Sequence, residues 1–457
     1  MFVSRLDGAR GQARAAYIIA AVCFGVAIVV PALFGGRAER VYRDSIAQLG
    51  STGRALRLDS YHRGWFSSQA TVSLTAGRGA ITFVQHVHHG PLGFYKGWHI
   101  AFPVAAVVDT DPPQALQTNL DRFFGDAPIV ITTVVGLGGA LDTYITRASS
   151  ERSDAAQKFT ARFHGFDAEI HLSQEAYFVR GDAPGFTAAG GFGEAGMAGL
   201  TIRGESHRHS SGLWLGDKAL KIARASYSVV ASGVHPAASG LVQDIALAGR
   251  SRVNNGRLEV RDSLSIGKIA AGTLILGPLS LAAEFGNLPL APIEQFMKAL
   301  SSIPQPASGQ PAQAQMLQQK LLELFAATIK ESPILTIELR AASPGGDGAG
   351  KATFGISPDL ANDPLLKPHN PAPKGVVAQA WNKYGHAAVD LAAPPGFLAQ
   401  VTKPAQLQQL EQSGILVRDG ANYVCRATFK NGGWMVNGRK IKLPARPPRP
   451  DLSSHRS

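Results

Sequence analysis

Cysteine is nearly absent from this chain of 457 residues, which has two. Two thiols exclude a disulfide-stapled scaffold, so the fold must rest on its own core. Cys23 lies inside an apolar run and Cys425 near the other end, a placement that gives them no reason to pair. Charge is scarce too, at 17% of residues, against about 25% in ordinary soluble proteins. It leans positive, with 45 Lys and Arg against 33 Asp and Glu, a formal net charge of +12. No dense basic tract concentrates it, which argues against a nucleic-acid reader. Diffuse positive charge suits an anionic surface equally well. Glycine and proline are plentiful by contrast, at 50 and 28 residues spread along the chain, and favour turns and strands over a helical bundle. Hydrophobic residues make up 45%, enough to exclude wholesale disorder.

Catalytic signatures are missing as well. There is no GxxxxGK[ST] phosphate loop, no GxSxG elbow, no HExxH helix and no pair of CxxC motifs. Residues 185–199, GFTAAGGFGEAGMAG, are glycine-rich without the phosphate pattern, and read as a flexible loop or as thin strands. His86, His88 and His89 come nearest to a metal cluster, because His86 and His88 share one side of a strand. His207 and His209 form a second pair, but nothing in the sequence brings the pairs together. Ordinary hydrogen-bonded histidines are the better reading. No catalytic, cofactor-binding or metal residue is assigned, no cofactor is expected, and the chain reads as a non-enzyme.

What is present begins with an apolar run. Residues 15–34, AAYIIAAVCFGVAIVVPALF, carry no charge and are long enough, at 1.5 Å per residue, to cross a ~30 Å hydrocarbon core. Arg5, Arg10 and Arg14 precede the run, opposed by Asp7 alone. This predicts a single transmembrane anchor with residues 1–14 as a cytoplasmic tip and the bulk of the chain across the membrane, in the periplasm of a bacterium. A cleaved signal peptide is the alternative. Gly36 and Ala38 could frame the cut, but Arg37 sits between them and the run is long for that purpose.

After the anchor the pattern predicts an α+β, strand-dominated fold: large twisted antiparallel sheets with a few amphipathic covering helices. Residues 35–285 form a strand-rich half, 286–444 an α+β half, and 445–457 a disordered tail. Asp111-Pro112-Pro113 starts a helix whose stripe is Leu116, Leu120, Phe123 and Phe124, and Gly125 ends it. Segments 140–285 alternate in short stretches. Helices are expected over 292–300, 311–330, 376–388 and 404–413. Asn431-Gly432 and Asn437-Gly438 are strong turn signals.

The segment YHRGWFSS, residues 61–68, stands out. Gly64 permits a bend, and its aromatics either seal the structure or form an exposed contact. The first reading is favoured. With Tyr61, Arg63, Gly64, Trp65, Phe66 and Ser68 in this segment, with His89, Gly90 and Pro91 in HHGPL, and with Asn437 and Gly438 closing GILVRDGANYVCRATFKNGGWMVNGRKI, the chain resembles the bacterial YdgA-like proteins of unknown function, DUF945. GPLSLAAEFGNLPLAPIEQF at 277–296 is similar to its strand-to-helix unit, and ESPILTIELRAASPGGDGAGKATFGI at 331–356 to the later counterpart of that unit. The resemblance implies an inner-membrane-anchored periplasmic protein of Gram-negative bacteria, with no known catalytic or cofactor residues to carry over. The Gly- and Ala-rich middle departs from the family pattern.

The expected function is that of a non-enzymatic envelope protein. It would present a sheet-lined apolar groove, built of Leu, Val, Ile and Phe, to a lipid, another apolar ligand or an envelope protein. The alternative is a scaffold or assembly factor acting by homodimerisation or partner binding, through a broad apolar patch or an open sheet edge. A hydrolase or metal enzyme ranks third, and would need histidines and acids converging in a cleft. The inner membrane, through residues 15–34, is the expected partner, and nucleic acid is not.

Overall fold

The computed structural model describes residues 55–441 apart from 77–78, 91–92, 96–98, 102, 157, 232–235, 296–322, 325 and 364–375, together with positions 36, 39, 40, 42–44 and 46. The chain forms two compact units. One comprises Met1–His209 with Gly216–Ser239, the other Ser210–Leu215 with Gly240–Ser457. Both are built on antiparallel sheet with few helices, so the strand-dominated α+β class holds.

Unit 1 runs through β1 (Ala55–Arg63), β2 (Ser67–Ala76), β3 (Gly79–His89), a small hairpin of β4 (Gly93–Tyr95) and β5 (His99–Ala101), and β6 (Val104–Asp111). Helix α1 (Gln114–Phe124) follows, then β7 (Ile129–Gly136), β8 (Leu141–Arg147), β9 (Ser150–Asp154), β10 (Phe159–Phe163) and β11 (Phe166–Leu172). The long strands β12 (Ala176–Gly190), β13 (Gly193–Arg208) and β14 (Trp214–Val229) come next. Antiparallel ladders join β1-β2-β3-β6-β7-β8-β11-β12-β13 in that order. Alternation explains the main core: Ala70, Val72, Val87, Ala106, Val108 and Val135 bury one face against Tyr42 and its neighbour Ile46. Val104, Val107 and Val134 form a smaller cluster with Tyr144. Strand β6 is therefore buried on both faces, and its sequence VAAVV does not alternate.

Two local expectations change. Pro113, not Asp111, caps α1, and no side chain bonds the helix start. Asp111 is the last residue of β6, laddered opposite Val84, so its carboxylate is carried away from the helix. The segment 140–285 contains strands of 15 to 17 residues rather than only short ones. Its glycine-rich part takes the thin-strand form. At Gly185, φ is +140° and a Cβ would lie 2.0 Å from the Met197 carbonyl oxygen, so no side chain fits.

Unit 2 contains β15 (Ala238–Asn254), β16 (Arg257–Ile266), β17 (Lys268–Ala271), β18 (Leu274–Leu276), β19 (Leu279–Pro289), β20 (Ile334–Ser343) and β21 (Gly346–Ile356). Helix α2 (Val376–Tyr384) leads into β22 (Gly385–Ala393), followed by α3 (Pro395–Val401) and α4 (Pro404–Gln412). The chain closes on β23 (Val417–Asp419), β24 (Asn422–Lys430), β25 (Gly433–Val436) and β26 (Arg439–Ile441). The ladder order is β15-β16-β19-β20-β21-β22-β24-β25-β26. Ile329, Leu360 and Ala380 make one buried cluster, and Cys425, Ala427 and Val436 another. Most of the helix expected over 311–330, and the tail at 445–457, lie outside the described residues.

The single-pass topology is corrected. Among the described residues no helix is long and apolar enough to cross a membrane. Helix α1 has 11 residues, roughly half the ~20 that a spanning helix needs. Residues 15–34, which suggested the anchor, lie outside the described residues. The transmembrane helix, the inner-membrane partner and the single-pass topology with a cytoplasmic N-terminus all rested on that anchor, and fall with it.

Leu360 is fully buried in the cluster with Ile329 and Ala380. Leu360→Ala should lower the stability of unit 2 by about 2–5 kcal/mol through the cavity it leaves. Urea unfolding followed by Trp381 and Trp434 fluorescence checks this.

Candidate functional site

The aromatic segment and the His-Gly element, 21 residues apart at Ser68 and His89, meet at one end of the β2–β3 hairpin. Register sets Ser68 opposite Val87, which brings the His89 ring onto the Ser68 hydroxyl. Ser68 Oγ lies 2.8 Å from His89 Nε2, and His89 Nδ1 lies 3.2 Å from the Trp65 carbonyl oxygen. A carbonyl only accepts, so Nδ1–H donates to it and a neutral Nε2 accepts from Ser68. The backbone completes the lock: Gly64 N–H donates to Ser67 O at 2.9 Å, His89 N–H to Phe66 O at 3.0 Å, and Gly90 N–H to Ala105 O at 2.8 Å. A Cβ on Gly64 would sit 2.4 Å from Ser67 O, and one on Gly90 1.9 Å from Val104 O, so both positions require glycine.

Around this lock Ser68 and His89 are buried, while Arg63, Trp65 and Phe66 are exposed. The Tyr61 ring packs on Tyr42 at 5.7 Å, with the Arg43 guanidinium over it at 5.3 Å. Burial pushes the Tyr61 phenol above its ordinary value. Burial also holds the His89 imidazole below its ordinary value, opposed by the Trp65 carbonyl. Pro91 lies outside the described residues. Ser68 and His89 thus have the hydrogen-bond sense of a nucleophile and its base. Both are closed off, however, and the arrangement holds the aromatic turn in place.

Three further histidines find carboxylates across strands, and His207 finds one on its own strand. His86 Nε2 is 3.2 Å from Asp111, His88 Nε2 3.3 Å from Asp109, His171 Nδ1 2.6 Å from Asp142, and His207 Nε2 3.0 Å from Glu205. Five strands, β6, β7, β8, β11 and β12, separate β3 from β13. Six spacings of ~4.8 Å put the two histidine pairs about 29 Å apart along the sheet, which disposes of a four-histidine site. Among the described residues no group of three or more His, Cys, Asp or Glu could hold a metal ion.

Unit 2 carries a feature that the sequence did not reveal. Leu247, Leu264, Leu281, Leu339, Gly350, Leu391 and Cys425 are successive cross-strand partners from β15 to β24. Four of these leucines, 247, 281, 339 and 391, are between 38% and 46% exposed. At Gly350 a Cβ would lie 2.3 Å from Leu391 Cδ2, so a side chain there would have to displace the tip of that leucine. Helices flank the row on the same face. On one side Phe397 of α3 lies over Gly348, where a Cβ would be 2.9 Å from the ring. On the other, Trp381 of α2 stacks on Phe429 at 5.8 Å and approaches Phe354 at 6.5 Å. The two contact rows are six residues apart along β21, about 20 Å, and a helix is about 10 Å wide. Among the described residues, these two helices leave roughly 10 Å of apolar floor between them.

The opposite face of the same strands has a trough of about 580 Å³ with an alanine and threonine floor. Its walls are Glu338, Arg340, Lys351, Asp390 and Arg426. Glu338–Lys351 pair at 3.0 Å, and Arg426 turns to Asp419 at 3.0 Å. Charged side chains wall that hollow over a floor of small residues. Sheet edges are blunted. Strand β1 carries a bulge between Leu58 and Ser60, and β26 has three residues, two of them basic. Beside β9, Arg152 Nη1 donates to the α1 carbonyls of Asp121 and Arg122 at 3.2 and 2.6 Å.

Unfolded histidine binds its proton near pH ~6.5, and His89 in the folded chain does so lower. Its share of stability is full above that value and is lost as pH falls toward the folded one. Urea midpoints of the wild type should drop between about pH 7.5 and 5 more than those of His89→Gln, which lacks this proton.

No curated protein and no solved structure matches the chain. A family model does match, over residues 13–444, and takes in the aromatic turn, the His89 lock, the leucine row and the Asn437-Gly438 turn alike. The chain belongs to DUF945, a family of bacterial proteins of unknown function.

Proposed function

We propose that this is a non-catalytic binding protein whose unit 2 holds an apolar ligand on the leucine row. The carrying observation is that row itself: partly exposed leucines in register across six strands, flanked by helices on the same face. Exposed leucines are ordinary when scattered, but not when register aligns them. Taking each partly exposed leucine from water contributes about 1 kcal/mol, so four contribute about 3–5 kcal/mol.

The size of the row separates this from homodimerisation. Five side chains at two-fifths exposure, counting Phe285 beside the row, expose on the order of 400 Å². A specific protein interface buries about 800 Å² per partner. Strand addition is disfavoured by the bulge on β1 and the three-residue strand β26. Catalysis is disfavoured by the closure of Ser68 and His89, the pair with the geometry for it.

Leu281→Glu combined with Leu339→Glu places two carboxylates on partly exposed sites and should leave circular dichroism unchanged. Binding of 1-anilinonaphthalene-8-sulfonate or a long-chain fatty acid should weaken at least about tenfold, the equivalent of ~1.4 kcal/mol. Unchanged binding would refute the assignment to this face.

A further inference from the structure

The leucine row is not symmetric from end to end. At the β24 end it runs into Cys425, which is buried with Ala427 and Val436 beneath Ile415 and Leu416. That cover is tied down on both sides. The backbone N–H groups of Ile415 and Leu416 both donate to Leu410 O of α4, at 3.0 and 3.1 Å. Asn437 holds it from the other side. Its Nδ2 donates to Gly414 O and Ile415 O at 3.0 Å each, and its Oδ1 accepts from Arg426 N–H at 2.9 Å. Every hydrogen-bonding direction used by this amide serves the closure, and Asn437 takes a φ of +48° to do so. At the β15 end the row finishes on Leu247, the most exposed of its leucines at 46%.

A groove closed at one end by apolar side chains gives its ligand a direction. A charged or polar headgroup pushed against Cys425, Ile415 and Leu416 would lose its water without partners, whereas a terminal methyl loses nothing. The width gives its number of chains. The next row on the same face, Ile337, Ala352, Val389 and Ala427, holds no exposed large side chain. One row of leucines therefore serves one chain. Five strand spacings from Leu247 to Leu391 cover about 24 Å, whereas one acyl chain reaches about 15 Å, half of a ~30 Å bilayer core, so a chain laid from the closed end covers about three spacings, from Leu391 to Leu281.

We infer that the ligand is a single-chain amphiphile, seated methyl end first, with its terminal carbons on Leu391 against the closure made by Ile415 and Leu416 and its polar group near Leu281, toward the β15 end. This rests on the proposed function above. The test uses two photoreactive saturated fatty acids with the full chain of this protein, one with a diazirine at the terminal carbon and one with it beside the carboxylate. After irradiation, labelled residues are mapped by mass spectrometry. The expected result is terminal-probe labelling at Leu391 and Leu416, and carboxyl-side labelling at Leu281 and Leu264, each at least fivefold over the opposite probe. Identical or reversed maps on these residues would overturn the orientation and leave apolar binding standing. Absence of labelling on the row, or labelling that the Leu281→Glu/Leu339→Glu variant retains, would overturn the binding reading itself.

Discussion

Register is the constraint on which the rest of this structure depends. In a strand the side chains alternate faces, so a slip of one residue would send every core residue of that strand to the opposite side. In β2 the alternation buries Ala70 and Val72 and turns Ser68 inward to meet His89. In β20 and β21 the same rule puts Leu339 and Gly350 on one face and Glu338 and Lys351 on the other. The leucine row and the charged trough are thus two faces of one pairing. Neither can be altered by a shift without exchanging the two.

Register of this kind needs fixing at strand ends, where ladders stop and fraying begins. Three side chains serve that purpose here by bonding to backbone rather than to one another. The His89 ring holds the Trp65 carbonyl, Arg152 collects the last carbonyls of α1, and Asn437 ties Gly414 and Ile415 to β24. Each joins segments that the sheet ladder does not pair. Backbone polar groups left at these turns would otherwise have only water for partners.

Much of this was legible in the residues. Alternation located most strands, Gly125 ended α1, and Asn437-Gly438 turned with φ of +48° and +78°. Segment 61–68 was singled out by its own residues and 88–92 by the family resemblance, and part of each proved to meet. Their contact was not legible, because it depends on Ser68 standing opposite Val87. The histidines showed the same blindness. His86 and His88 have no acidic neighbour along the chain, yet Asp111 and Asp109 lie one strand away. Asp111 itself looked like a helix cap, and the ladder claimed it first. The leucine row was the least legible feature. Leu247, Leu281, Leu339 and Leu391 each occur in an unexceptional strand pattern, and only the stacked registers of six strands align them.

Most ladders join strands that follow one another along the chain, as in β1–β2, β2–β3, β12–β13, β15–β16 and β20–β21. The loops that close them are short; Asn255 and Gly256, both with positive φ, are all that separates β15 from β16. Closing so small a loop costs little chain entropy. Such a meander can zip hairpin by hairpin, each new strand adding to an edge already formed, and long β-strands need not wait for distant sequence to find them. For a chain made from its N-terminus, unit 1 can pair most of its strands while unit 2 is still being synthesised, so the order of the sequence is also an order of assembly.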